Sequence, residues 1–142
     1  MDSAWLDRYV DAWVLHAKAG SAEGSDELAT LLDRVTADVR YEDVPTAAVF
    51  TGHRGVTQMC EAAHGWATNL EFKVLTGQTD GTMFALETET SGTTPAADPS
   101  GLGRRFVLRG VSIGRLSKTG LVCEHRDYWD LGSFLAQISA SV

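Results

Sequence analysis

Basic residues are in short supply in this chain. Twelve Lys and Arg stand against 19 Asp and Glu, giving a net charge of −7. That deficit argues against a nucleic-acid partner, which needs a basic stripe, and against adhesion to an anionic membrane surface. No apolar run approaches the roughly 18 residues of a spanning helix. The N-terminus, Met1-Asp2-Ser3-Ala4-Trp5, has neither the basic nor the apolar region of a signal peptide, so a cytoplasmic protein is expected. Only two cysteines occur, Cys60 and Cys123, far apart and without CxxC spacing, which reads as free thiols in a reducing compartment. The four histidines, His16, His53, His64 and His125, show no HxH, HExxH or Cys-His spacing, so no metal is expected. Internal repeats, low-complexity tracts and linkers are absent too. The 142 residues, 44% of them hydrophobic, suit a single domain with its own core.

What is present begins with a helical pattern. Over residues 3–18, Trp5, Leu6, Tyr9, Val10 and Trp13 recur at three- and four-residue spacing. Ser25 caps a second helix with Leu28, Leu31 and Leu32 as its apolar row. A short strand over 38–44 carries Val39, Tyr41 and Asp43 on one face, and Pro45 ends it. Residues 51–55 form a turn, and a third helix runs over 55–67 with Val56, Met59, Cys60, Ala63 and Trp66 on one side. Four strands follow, over 70–76, 83–90, 104–116 and 121–129, with hairpin turns at 78–81 and 117–120. Residues 91–103 make a long Gly/Pro/Ser-rich loop, either an insertion or a lid. A helix over 131–138 closes the chain. The order predicts α+β architecture, with helices on one face of a curved antiparallel sheet that can wrap into a cone around a pocket.

The last strand poses the chemical question. Alternation puts Leu121, Cys123, His125, Asp127 and Trp129 on one face. A carboxylate on an apolar row is costly unless it is paired or used. Asp127 is therefore either half of a buried hydrogen-bonded pair or a pocket acid. Asp43 shares its face with Val39 and Tyr41, and two carboxyls facing one cavity suit acid–base work. The alternative for Asp43 is a simple turn before Val-Pro. His125 reads as a core histidine or as a second pocket acid–base group. Arg109 shares a face with Val107, Val111 and Ile113; it either balances pocket carboxylates or snorkels to solvent. The tryptophans are core residues, of which Trp13, Trp66 and Trp129 are candidates for lining a ligand site.

The element order and three strings resemble the superfamily of nuclear transport factor 2, ketosteroid isomerase, SnoaL-type polyketide cyclases and limonene-epoxide hydrolase. Glu124-His125-Arg126-Asp127-Tyr128-Trp129-Asp130 resembles the terminal-strand signature in which the aspartate after the arginine is a pocket acid or base. Tyr41-Glu42-Asp43-Val44 is similar to the string that holds a nucleophilic water in the epoxide hydrolase, and to the one that carries the base of the isomerase. Arg8-Tyr9-Val10 resembles the site of the isomerase's oxyanion tyrosine. Glu87-Thr88-Glu89 stands where the epoxide hydrolase has Arg-x-Asp; Glu89 keeps the acid and the arginine is lost. The isomerase's protonated oxyanion aspartate has no counterpart, its place falling near Val111 or Ser112.

The resemblance implies a cone-shaped α+β domain wrapped by three N-terminal helices, a homodimer, and cofactor-free chemistry on a small hydrophobic metabolite of polyketide or terpenoid type. Asp127, Asp43, Tyr41, Glu89 and His125 are the expected catalytic set. Tyr9, Trp13, Arg109, Trp129 and Trp66 are the expected substrate contacts. The expected reaction is epoxide opening or cyclisation. Proton transfer next to a carbonyl is a second reading, with Asp43 as base and Tyr9 as oxyanion donor. A non-catalytic ligand carrier or dimerisation module is a third.

Overall fold

The computed structural model describes residues 4–19, 25–95 and 103–139. Among the described residues ten regular elements and one 3-10 turn follow in order. They are α1 (Ala4–Ala19), α2 (Asp26–Leu32), β1 (Val35–Asp43), the turn Val44–Thr46, β2 (Ala48–Thr51) and α3 (Gly52–Trp66), then β3 (Thr68–Thr79), β4 (Met83–Thr93), β5 (Arg105–Leu116), β6 (Val122–Trp129) and α4 (Leu131–Ile138). The strands form one six-stranded sheet in the order β2-β1-β6-β5-β4-β3. Only β1 and β6 pair in parallel. The sheet is curved but not closed, and α1 and α3 pack against it at β3 and β1.

Local chemistry accounts for most of these boundaries. Ser25 accepts a hydrogen bond from the Leu28 amide and so caps α2. Asp130 does the same for α4 through the Ser133 amide. At the β3–β4 hairpin Asp80 Oδ1 accepts from the amides of Thr82 and Met83, both at 2.8 Å, and Gly81 takes the left-handed φ of 91°.

Several boundaries differ from expectation, β3 among them, which runs over Thr68–Thr79 and takes in part of the expected turn at 78–81. β1 starts three residues earlier, at Val35, because Val35 and Val39 are both buried on one face. Of the residues read as a turn at 51–55, Thr51 ends β2 and 52–55 open α3, with Gly52 at φ 72°. β2 was not foreseen at all. Its four residues return antiparallel to β1 after the Pro45 turn, too short for alternation to register. In the predicted 91–103 loop, β4 continues to Thr93, and residues 96–102 lie outside the described residues.

The core lies between α1, α2, α3 and the inner sheet face. Tyr9, Leu31, Val39, Val56, Phe84, Leu86 and Val122 are all essentially inaccessible. Burying each aliphatic or Phe side chain contributes about 1.5–3 kcal/mol. A smaller cluster of Ala67, Phe106 and Leu108 packs against Trp129, Phe134 and Ile138. The space between the two clusters is the cavity described next.

Candidate functional site

A cavity of about 440 Å³ opens onto the inner sheet face, walled mainly by apolar groups such as Phe50, Met59, Phe72, Phe106, Leu108 and Phe134. Its polar wall is made where β1 and β6 run in parallel. Their register sets Tyr41 beside His125 and Asp43 beside Asp127. All four residues line the cavity.

The inner phase of β6 depends on a bulge. Arg115 pairs with Glu124, but Leu116 pairs with Val122. Cys123 is thereby displaced, and the buried positions become Val122 and His125 rather than Cys123 and His125. This corrects the expectation that Leu121 and Cys123 share the inner face. The Cys123 thiol instead contacts the Arg115 carbonyl near the surface. From His125 onward the expected phase holds, so Asp127 and Trp129 also reach the cavity.

Asp127 is the most heavily bonded group of the site. Its Oδ1 lies 2.7 Å from His125 Nε2 and accepts from Ser112 Oγ at 2.6 Å. Its Oδ2 accepts from the Tyr41 hydroxyl. A carboxylate offers about four acceptor positions. Three are occupied, which leaves one on Oδ2; the side chain lines the cavity and keeps 26% of its exposure. Burial pushes the Asp127 carboxyl up, but the His125 ring beside it and the bonds from His125, Ser112 and Tyr41 outweigh burial, so the net displacement is downward. Asp127 is held ionised.

Behind the carboxylate runs a buried relay. His125 Nδ1 lies 2.7 Å from the Tyr9 hydroxyl, and His125 and Tyr9 are 2% and 1% exposed. A carboxylate can only accept, so Nε2 carries a proton; in the neutral ring Nδ1 then accepts from Tyr9. Tyr41 stacks on the imidazole at 4.4 Å and 13°, which fixes the ring plane. Burial pushes both tyrosine hydroxyls well above their usual range, so both remain donors. The second carboxyl, Asp43, receives the Trp129 indole N–H on Oδ1 at 2.6 Å and the Thr46 hydroxyl on Oδ2. A hydroxyl both donates and accepts, so Thr46 serves either protonation state of Asp43.

The other expected residues fall elsewhere. Glu89 and Arg109 face outward, joined Nε to Oε2 at 3.3 Å, with the arginine 70% exposed. The cause is alternation: Phe84, Leu86 and Thr88 point inward on β4, as do Phe106, Leu108 and Ser112 on β5, leaving 89 and 109 on the opposite face. Neither is a pocket group. Tyr9 lies behind His125, so its expected contact with substrate is also corrected. Trp13 and Trp129 line the cavity. The Trp66 side chain lies outside the described residues. Sequence reasoning missed Ser112 as a donor to Asp127; only the β5–β6 register, which pairs these two residues, reveals it. It also missed His16 and His64 on the cavity wall. His16 carried a signal, as a lone imidazole continuing the apolar stripe Leu6, Tyr9, Ala12 of α1. Among the described residues no group of three His, Cys, Asp or Glu side chains could hold a metal ion, and no helix is long and apolar enough to cross a membrane.

The sequence profile of the SnoaL-like domain matches residues 6–125. The chain belongs to the SnoaL-like domain family. The profile match stops two residues short of Asp127. No curated protein matches the sequence. Among solved structures, TsrD from Streptomyces laurentii is 19% identical, with 99% of each chain covered and a TM-score of 0.79. A protein with a ketosteroid isomerase-like fold from Catenulispora acidiphila, in complex with trimethylamine, is 17% identical over 99% of this chain and 96% of that one, TM-score 0.76. An NTF2-like protein of unknown function from Burkholderia pseudomallei is 16% identical over 99% and 100%, TM-score 0.72. At these identities the likeness fixes the NTF2-like fold of this SnoaL-like chain.

Proposed function

We propose that this SnoaL-like protein is a cofactor-free acid–base catalyst acting on a small, mostly apolar metabolite, with Asp127 as the base. The observation that carries this reading is the state of Asp127: ionised, enclosed, oriented by three donors, left with one acceptor position, and lining an apolar cavity. Holding it there pre-aligns a proton acceptor at the cavity wall.

In the favoured reaction, epoxide opening, Asp127 Oδ2 takes a proton from water or from a substrate hydroxyl. The freed oxygen bonds to an epoxide carbon while that carbon's bond to the ring oxygen breaks. Asp43, in its protonated form, gives a proton to the departing oxygen. Tyr41 holds Oδ2 and the imidazole plane, and Ser112 and the Tyr9–His125 relay hold Oδ1. The second reading is proton abstraction next to a carbonyl, which the two adjacent carboxyls on β1 and β6 also suit. Tyr9 takes no part as oxyanion donor there, because its hydroxyl is committed to His125.

Turnover of a panel of cyclic epoxides and β,γ-unsaturated ketones tests both readings. Asp127→Asn removes the proton acceptor and keeps the shape; it is expected to abolish turnover with the fold intact. Unchanged turnover would remove Asp127 from the chemistry and favour a ligand carrier. Asp43→Asn is expected to stop epoxide opening.

Further expectations attach to the surface. We propose a homodimer formed through the outer face of the sheet, where Val107, Val111 and Tyr128 each keep about two-fifths of their exposure. Sedimentation of Val111→Lys against the parent chain tests it, with a shift to monomer expected. The free thiols Cys60 and Cys123 accord with a cytoplasmic location.

A further inference from the structure

The cavity has a second polar feature, separated from Asp127 by Trp13. The buried stripe of α1 ends on His16, which is 2% exposed and lines the cavity wall. Neither of its ring nitrogens has a hydrogen-bond partner among the described residues. His64 of α3 also lines the cavity and meets the His16 ring edge-on, centroids 5.2 Å apart. The Trp13 ring stands 6.5 Å from His16 and 5.9 Å from His125, so it lies between the imidazole pair and the Asp127 network.

A neutral imidazole has one donor and one acceptor. Burying both without partners is costly, whereas leucine at position 16 would fit the stripe without that cost. Among the described residues nothing on α1, α2 or α3 hydrogen-bonds the ring; the rings beside it are those of Trp13 and His64. The cavity that His16 lines is the route by which a ligand reaches the ring.

We propose that His16 and His64 form a second recognition pole, which hydrogen-bonds a neutral hydroxyl or carbonyl on the far end of an elongated apolar ligand whose reacting end lies at Asp127. The inference rests on the reading of the cavity as a small-molecule site. Burial, and then the neighbouring His64, lower the proton affinity of His16, against a weaker opposing pull from Glu27; burial lowers that of His64. The pair is uncharged near neutrality. It therefore suits an uncharged polar group better than a carboxylate or phosphate. The ligand class is a bifunctional apolar molecule with oxygen at both ends.

The probes are 2-naphthol and 2,6-dihydroxynaphthalene, which share a ring system and differ by the second hydroxyl. Their binding to the full chain is read by fluorescence titration. The diol is expected to bind about threefold to tenfold more tightly than the mono-ol, the yield of one neutral hydrogen bond. In His16→Phe that advantage disappears while mono-ol affinity holds. His16→Gln, which keeps a donor and an acceptor, restores part of it. In the parent protein, the His16 ring-nitrogen resonances shift on diol addition, a readout that depends on no variant folding.

Three results overturn the proposal. The diol advantage survives His16→Phe; both probes lose affinity alike in that variant; or the His16 nitrogens do not respond at diol saturation. Turnover of Asp127→Asn separates this from the catalytic reading. Full turnover there, with the His16-dependent diol preference intact, sinks the catalysis and keeps the second pole.

Discussion

Replacing Tyr9 with phenylalanine probes the buried relay at its far end. Tyr9→Phe deletes one hydroxyl and keeps the ring, so its edge contacts with Trp13 and Phe84 persist. What changes is His125 Nδ1, left without the donor 2.7 Å away at a site that is 2% exposed. An unsatisfied buried acceptor costs about 1–3 kcal/mol. For a chain of this size that corresponds to a fall in Tm of roughly 3–10 °C. Urea unfolding gives the free energy directly. Long-range nitrogen NMR of the imidazole should report a changed environment at Nδ1. A double-mutant cycle with His125→Leu isolates the pair and should return a coupling of about 0.5–3 kcal/mol. Ligand affinity should move little, because Tyr9 lies behind His125 and not on the cavity wall. A variant of parental stability, with unchanged ring-nitrogen resonances and no coupling, refutes the relay.

Other outcomes follow from the same geometry. Tyr41→Phe removes a donor to the ionised Asp127, so the acidic limb of the pH–rate profile should move up by about one unit or more, the effect of one hydrogen bond to a charged group. Because Asp127 is lower in the folded than in the unfolded chain, it contributes stability above the unfolded carboxylate value that is lost as pH falls through the folded value. Acid unfolding of Asp127→Asn should lack that component, and an unchanged acid limb would contradict it. Gly114→Ala should destabilise by about 1–3 kcal/mol or more in urea, since the added carbon would sit 2.3 Å from Phe84 Cζ and 2.4 Å from the Glu124 carbonyl, beside His125 in the register.

How far the chain could be read in advance depended on the range of the interactions involved. Period-two alternation in β1 and β6 was enough to aim Tyr41, Asp43, His125 and Asp127 toward one interior, and the Ser25 cap was enough to start α2. Alternation failed at Cys123 because a bulge inserts a residue there, and bulges are set by the partner strand rather than by local composition. It was ambiguous for Glu89 and Arg109, since period two says which residues share a face but not which face is inward. The choice was made by Phe84, Leu86, Phe106 and Leu108, whose apolar bulk claims the core. The Ser112 contact to Asp127 and the meeting of His16 with His64 join elements distant in sequence, so no local pattern encodes them.

The central claim is that Asp127 is kept ionised at the wall of an apolar cavity by His125, Ser112 and Tyr41. Carbon-13 titration of the Asp127 carboxyl in the folded protein tests it most directly. The account predicts a midpoint below the ordinary aspartate value of 3.8 that rises in Tyr41→Phe and in Ser112→Ala. A midpoint above that value in the parent chain, or one indifferent to both substitutions, would contradict it.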